Sequence, residues 1–180
     1  MSEIFDIVDE NGLPTGQTID RETAHREGIR HRTAHVWLMR RRPSGVEILL
    51  QKRSANKDSH PSCYDISSAG HIPAGVDFKP SALRELKEEL GLTAKEEDLH
   101  YCGTRKFFWV KEFHGEMFRD NQVSNVYCLW MDIEPEDCIL QEEEVEEVRW
   151  MNLEECKRRV EDGSLKSCIR LEELYMLPEE

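Results

Sequence analysis

Short β-branched and aromatic runs separated by glycine, proline and asparagine turns dominate the chain, a pattern that predicts more strand than helix. Ile4 to Val8 reads as a short strand, followed by turns at Asn11-Gly12 and Pro14-Thr15-Gly16. Asp20 is placed to cap a short helix from Arg21 to Arg26, which Gly28 ends. Ala34 to Arg40 and Val46 to Lys52 are strands joined through Pro43-Ser44-Gly45 as a hairpin. Tyr64 to Ala69 is a further strand, and Gly70 to Asp77 a glycine- and proline-bearing loop. Pro80 near the first turn and Gly91 just past the last frame a helix. Tyr101 to Val110, Val123 to Ile133 and Glu147 to Met151 are strands. Asn152 with Glu155 forms a capping box for a helix to about Glu161, and a last helix covers Leu165 to Tyr175. With no internal repeat or linker, this order predicts a mixed sheet with helices on its faces, an α+β or α/β sandwich.

The helix between Pro80 and Gly91 carries the chemistry. Leu83, Leu86 and Leu90 recur at i, i+3 and i+7 and form the stripe that packs on a sheet. Glu85, Glu88 and Glu89 recur at i, i+3 and i+4 on a stripe pointing away from those leucines. Three carboxylates on one patch repel by a few tenths of a kcal/mol per pair, roughly, and more if desolvated. A hard divalent cation with oxygen ligands relieves that repulsion. Taken alone, the same residues also compose an ordinary solvated amphipathic helix, so the segments around it decide.

Charge narrows the choice of partner. Among 180 residues, 37 Asp and Glu against 24 Lys and Arg give a net charge of -13, a surface that repels nucleic-acid backbones. A phosphorylated small molecule needs local positive charge to enter, and metal ions would supply it. No run of eighteen apolar residues exists, and the acidic start MSEIFDIVDENG does not resemble a secretory signal. A cytoplasmic location without membrane contact is therefore expected. The six cysteines form no CxxC pair, which argues against zinc ribbons and redox motifs, and reduced thiols are the default. Cys128, in an apolar run, reads as core.

Gly70, five residues, Val76, seven residues, then Arg84-Glu85-Leu86-Lys87-Glu88-Glu89-Leu90-Gly91-Leu92 resembles the Nudix box. That box runs glycine, five residues, glutamate, seven residues, then Arg-Glu-aliphatic-any-Glu-Glu-any-Gly-aliphatic. Eight of its nine defined positions match. The resemblance covers most of the chain. It implies a single domain of the Nudix α/β/α sandwich type, with the strand and turns of about residues 1–30 as an N-terminal extension. It also implies a metal platform in which Glu85, Glu88, Glu89 and the Gly70 carbonyl hold Mg²⁺ or Mn²⁺ and Arg84 orients the acidic side chains. The implied reaction is attack of water on a phosphorus of a diphosphate, with Glu88, Glu89 or the downstream Glu144 as general base. Val76 departs from the box, whose glutamate braces the loop against the arginine; Asp77, next door, is the residue that could substitute. Many relatives are dimers, so a homodimer is an allowed assembly.

The opening IFDIVDENGLPTG, the HRTAHVWL run and the segment holding Arg53, Ser54, Lys57 and Pro61 resemble the isopentenyl-diphosphate isomerase branch of the same family. Isomerases place a catalytic cysteine where this chain has Ala69, before Gly70-His71, and a Glu-x-Glu-Val strand where it has Asp120-Asn121-Gln122-Val123. Proton transfer across an allyl system needs an acid and a base on opposite faces, which alanine and glutamine do not provide. Hydrolysis is therefore preferred over isomerisation, and a catalytically weak nucleotide-binding protein is the third class. His31 and His71 fall where isomerases have metal-ligand histidines, and His25 lies one residue out of register with a third. A second metal site or a phosphate contact is one reading of them; ordinary polar histidines at strand and loop ends is the simpler one.

Substrate choice lies outside the box. Arg30, Arg32, Lys52, Arg53 and Lys57 are the densest basic set, and Arg32, Arg53, Lys57 and His71 are the residues expected at the substrate's phosphates. Trp37, Tyr64, Phe107, Phe108 and Trp109 could stack a base. The expected partner is a small-molecule diphosphate, either a nucleoside diphosphate derivative, a nucleoside triphosphate or a prenyl diphosphate.

Overall fold

Strand β3 (His31–Arg42) runs through the middle of the sheet and is buried over its first nine residues. Its sequence shows little alternation because both faces are covered: Ala34, Val36 and Leu38 enter one core layer, Trp37 and Met39 the other. The computed structural model describes every residue from Met1 to Glu180. On one side β3 runs parallel to β8 (Glu116–Trp130), which pairs antiparallel with β7 (His100–Phe113). On the other side it pairs with β4 (Gly45–Arg53) over Met39–Arg42 and with β6 (Ser68–His71) over Thr33–Val36. β4 in turn pairs with β5 (Tyr64–Asp65) and β9 (Val145–Asn152), which makes a mixed sheet that divides beside β3.

Helices cover both faces. α2 (Phe78–Leu90) lays Ala82, Leu86 and Leu90 against Val36, Leu38 and Leu49. Leu86 and Leu90 are each fully buried, worth roughly 1.5–3 kcal/mol apiece. Gly91 ends the helix at φ 69°, returning its N–H to the Lys87 carbonyl. The opposite layer is closed by α3 (Leu153–Glu161) and the short α4 (Leu171–Leu174), whose Leu153, Cys156 and Leu174 meet Trp37 and Ile48. No helix is long and apolar enough to cross a membrane. All six cysteines are free, and Cys128 is a core residue.

Several segments differ from the sequence pattern, each for a local reason. Pro14–Asp20 is a strand, β2, paired with β1 (Ile4–Val8), and its mostly exposed side chains leave no hydrophobic signal. The stretch from Tyr64 to Ala69 is broken at Ile66-Ser67, because the Ser67 hydroxyl inserts between strands, accepting from Leu38 N and donating to Leu49 O. β7 and β8 run on past their hydrophobic segments into one hairpin, turned at His114-Gly115 with both φ positive. Of the helix expected from Leu165 to Tyr175, only Leu171–Leu174 is helical. Residues before it run extended, because Tyr64 exchanges backbone bonds with Lys166 and Cys168. Asp20 caps α1 (Arg21–Glu27) by accepting from Thr23 N, and Asn152 caps α3 by accepting from Glu155 N.

Candidate active site

Strand alternation assembles the site. His31, Thr33 and His35 of β3, Asp120, Gln122 and Ser124 of β8, and Arg105, Phe107 and Trp109 of β7 share one sheet face. Beyond Thr33 and His35 the same face of β3 continues as core through Trp37 and Met39; at its N-terminal half it floors a cavity of about 910 Å³. The floor is polar and tightly hydrogen-bonded: Thr33 Oγ1 lies 2.5 Å from Ser124 Oγ, and Gln122 Nε2 donates to Asp120 Oδ2 at 2.6 Å. Only eight of the 34 lining residues are hydrophobic, and four of those are Phe107, Trp109, Phe113 and Phe118.

The box enters where the sheet divides. Glu85, Glu88 and Glu89 all line the cavity but in different surroundings. Glu85 sits against Gly70, where a Cβ would collide with its carboxylate, and accepts from Arg84 Nη2 at 2.6 Å. Burial raises the Glu85 pKa, an effect the Arg84 guanidinium opposes. Glu89 is only 8% exposed and accepts from Gln51 Nε2 at 2.6 Å, and burial pushes its pKa up to about 8. A buried carboxylate so unwilling to ionise, beside a second one and the bare Gly70 backbone, is a donor set that a divalent cation would stabilise. Glu88 has a half-exposed side chain with only the distant Arg84 Nε, at 3.9 Å, opposite it.

A second cluster lies behind the same floor, with His71 and Asp120 reaching the cavity and His25 and His31 buried beneath it. The ligand atoms of His25, His31, His71 and Asp120 all fall within 4.8 Å of one another. His25 Nδ1 donates to the Arg21 carbonyl and His31 Nδ1 to the Ile29 carbonyl, both at 2.9 Å, which leaves their Nε2 atoms as lone-pair donors. Those two Nε2 atoms, His71 Nε2 and Asp120 Oδ1 are buried without a hydrogen-bond partner. Burial, and then the neighbouring His31, hold the His71 pKa well below the ordinary imidazole range. Four inward-facing ligand atoms, with backbone carbonyls fixing two of the imidazole rings, form a group suited to a metal ion. Phe5 stacks on His31 and His71 at 4.9 and 5.0 Å, and Phe118 on His25 at 4.4 Å, giving the group an aromatic shell. The simpler sequence reading, polar histidines scattered at element ends, does not describe this convergence.

The other expected residues divide. Arg53, Lys57, His71, Gly70 and Glu144 line the cavity. Arg53 donates to Asp65 and Ser59, and Lys57 forms an ion pair with Glu144. Arg84 lies outside the lining and acts on Glu85. Arg32, expected at a phosphate, lies outside the cavity lining: it is 4% exposed and donates to Asp6 Oδ2 and the Val76 carbonyl, both at 2.9 Å. Asp6 Oδ2 also accepts from Gly75 N. The loop that lacks the box glutamate is thus braced from the N-terminal strand by an Asp6–Arg32 pair. Asp77 does not substitute; it is exposed and its side chain makes no cap bond. Asp6 and Phe5 are the residues the sequence left unassigned, and Asp120 entered only through its match to the isomerase Glu-x-Glu-Val strand, since the fold carries them to the loop and the histidines.

The sequence pattern of the NUDIX domain matches residues 29–170. The chain belongs to the Nudix family. Nudix hydrolase 3 of Arabidopsis thaliana is 38% identical over 157 residues, 85% of this chain and 20% of that protein, so the chain spans about a fifth of its length. An uncharacterized Nudix hydrolase of Listeria innocua is 30% identical over 97% of this chain and 95% of its own. The crystal structure of a Deinococcus radiodurans protein superposes with a TM-score of 0.69 at 19% identity, covering 96% of this chain and 98% of that one, a likeness of fold. Nudix hydrolases act on phosphoric anhydride bonds and in general use divalent metals.

Proposed function

We propose that the protein is a metal-dependent pyrophosphohydrolase that cleaves the diphosphate bond of a small molecule. The observation that carries this reading is the meeting of Glu85 with the bare Gly70 backbone and of Glu89 with Gln51, at the edge of one polar cavity. Glu85, Glu88, Glu89 and the Gly70 carbonyl would hold Mg²⁺ or Mn²⁺, which neutralises phosphate oxygens and lowers the pKa of the attacking water. Arg84 orients Glu85. Glu88 is the freest of the three carboxylates considered as general base, since Glu89 is buried against Gln51 and Glu144 is paired with Lys57. Arg53 and Lys57 lie where a diphosphate would enter, and a polar floor ending in aromatic rings suits a nucleoside diphosphate derivative better than an alkyl tail. His25, His31, His71 and Asp120 would hold a second cation, with imidazole donors favouring a transition metal over Mg²⁺.

The histidine group also favours a second reading, isomerase-like chemistry, because the resemblance to isopentenyl-diphosphate isomerases places metal ligands at His31 and His71. Ala69 and Gln122, which offer neither a thiol nor a carboxyl group for proton transfer, argue against it. Phosphate release from nucleoside diphosphate derivatives, nucleoside triphosphates and prenyl diphosphates, with Mg²⁺ or Mn²⁺, tests the proposal. Turnover lost in Glu88→Gln supports hydrolysis. Deuterium incorporation into isopentenyl diphosphate without phosphate release would establish the isomerase reading instead, and nucleotide binding without turnover would establish a binding protein.

A further inference from the structure

Five cationic side chains line the cavity, and four are already neutralised. Arg21 pairs with Glu3, Arg53 with Asp65, Lys57 with Glu144, and Arg105 with Glu172 and Glu173. Arg170 alone has no carboxylate within ion-pair distance and no side-chain hydrogen bond, although it lines a cavity with twice as many acidic as basic residues. It is exposed, and its guanidinium carbon lies 5.1 Å from the centre of the Phe107 ring, a packing that orients it without consuming its donors.

The segment that carries it is fastened to the sheet beyond what a four-residue helix needs. Glu173, 1% exposed, accepts from His35 Nδ1 at 2.8 Å, Trp37 Nε1 at 2.9 Å and Arg105 Nη1 at 2.6 Å. On the other side of Arg170, Cys168 N donates to the Tyr64 carbonyl and Ile169 is buried in the core. A buried, fully paired carboxylate costs desolvation free energy; here it fixes the backbone after Arg170, while Cys168 and Ile169 fix the backbone before it.

We propose that Arg170 is a substrate-binding residue that grips a phosphate group, with Glu173 as the positioning residue that anchors its segment. A guanidinium offers a fork of parallel donors to phosphate oxygens, and an unpaired one in an acidic cavity is where a polyanion gains most. The inference rests on the reading that the substrate carries a diphosphate, and it can fail independently of it.

Inorganic pyrophosphate, titrated calorimetrically into the full chain with Mg²⁺ present, is the probe. Arg170→Ala should weaken its binding about tenfold, the size of one lost charge-assisted contact, while the melting temperature of this surface variant stays unchanged. Arg158→Ala, which removes the same charge from an exposed site on α3 outside the cavity, should leave the affinity as it was. Equal affinities for wild type and Arg170→Ala would overturn the assignment, as would wild type that binds no pyrophosphate, or a loss matched by Arg158→Ala. Arg170-dependent pyrophosphate binding in a protein that hydrolyses nothing would leave this inference standing and remove the hydrolase reading; hydrolysis with unaltered pyrophosphate affinity in Arg170→Ala would do the reverse.

Discussion

His31 Nε2 lies 3.4 Å from Asp120 Oδ1, and neither atom makes a hydrogen bond. The Ile29 carbonyl takes the Nδ1–H, so in a neutral ring the Nε2 lone pair faces the carboxylate oxygen across a buried gap. If the cluster holds a cation, that ion sits between these two atoms and is completed by His25 and His71. Elemental analysis after equilibration with Zn²⁺ or Mn²⁺ should show one fewer equivalent bound in His31→Ala than in wild type. Uptake should also weaken as pH falls, because protons compete with the metal for the ligand atoms. Equal stoichiometry in the two proteins would remove the site.

The box glutamates differ enough to separate their roles. Glu88→Gln should lower turnover by roughly 10²–10⁴-fold, the range of a lost general base, with little change in stability because the side chain is half-exposed. A variant with turnover near wild type would move the base to Glu89 or Glu144.

Gly70→Ala places a methyl group on the Glu85 carboxylate. The obstructing atoms are the end of a flexible side chain, so the fold should yield at a cost of about 1 kcal/mol while Glu85 is pushed from its position. Activity should therefore fall far more than the urea midpoint; parallel losses would mean that Gly70 serves only packing.

Asp6→Ala leaves Arg32 buried without its carboxylate and removes the acceptor of Gly75 N. Denaturant unfolding should show a loss of about 3–5 kcal/mol, the range for breaking a buried pair. If the pair braces the loop in place of the missing box glutamate, Val76→Glu should recover part of the activity lost in Asp6→Ala. No recovery would confine the pair to a structural role.

Acid stability should report on Glu173. Burial raises its pKa, but the charges of His35 and Arg105 and the hydrogen bonds from His35 and Trp37 outweigh that and bring it from 4.5 to about 2. A carboxylate with a depressed pKa stabilises the fold above its ordinary pKa, and that stability is lost as pH falls through the folded value. About 3 kcal/mol should disappear between about pH 4.5 and pH 2. Glu173→Gln should be less stable at neutral pH and flatter across that window; identical acid profiles would contradict the assignment.

Much of this protein was legible without coordinates, for particular reasons. Leu86 and Leu90 show their helix because burial on one side imposes a 3.6-residue period, and Asp20 and Gly28 mark α1 because caps act through residues close in sequence. The spacing from Gly70 to Leu92 brought three glutamates and a glycine backbone together, since the contacts are made within one loop and helix. β2 was invisible because its side chains are exposed and only backbone bonds hold it. The C-terminal helix was overread because Leu165, Ile169 and Leu174 reach one core from an extended path as readily as from a helical one.

By itself, then, the sequence determined the family, the strand-rich sandwich and the carboxylate platform, because these depend on short-range spacing. The tertiary structure alone decided that Asp120 joins three histidines, that Arg32 is buried against Asp6 and the Val76 carbonyl, and that Glu173 fastens the segment bearing Arg170. Those pairs lie 26 to 138 positions apart in the chain. No local period or motif encodes such meetings; they follow from the register in which β3 lies beside β6 and β8 and from where β1, α1 and α4 dock against that sheet.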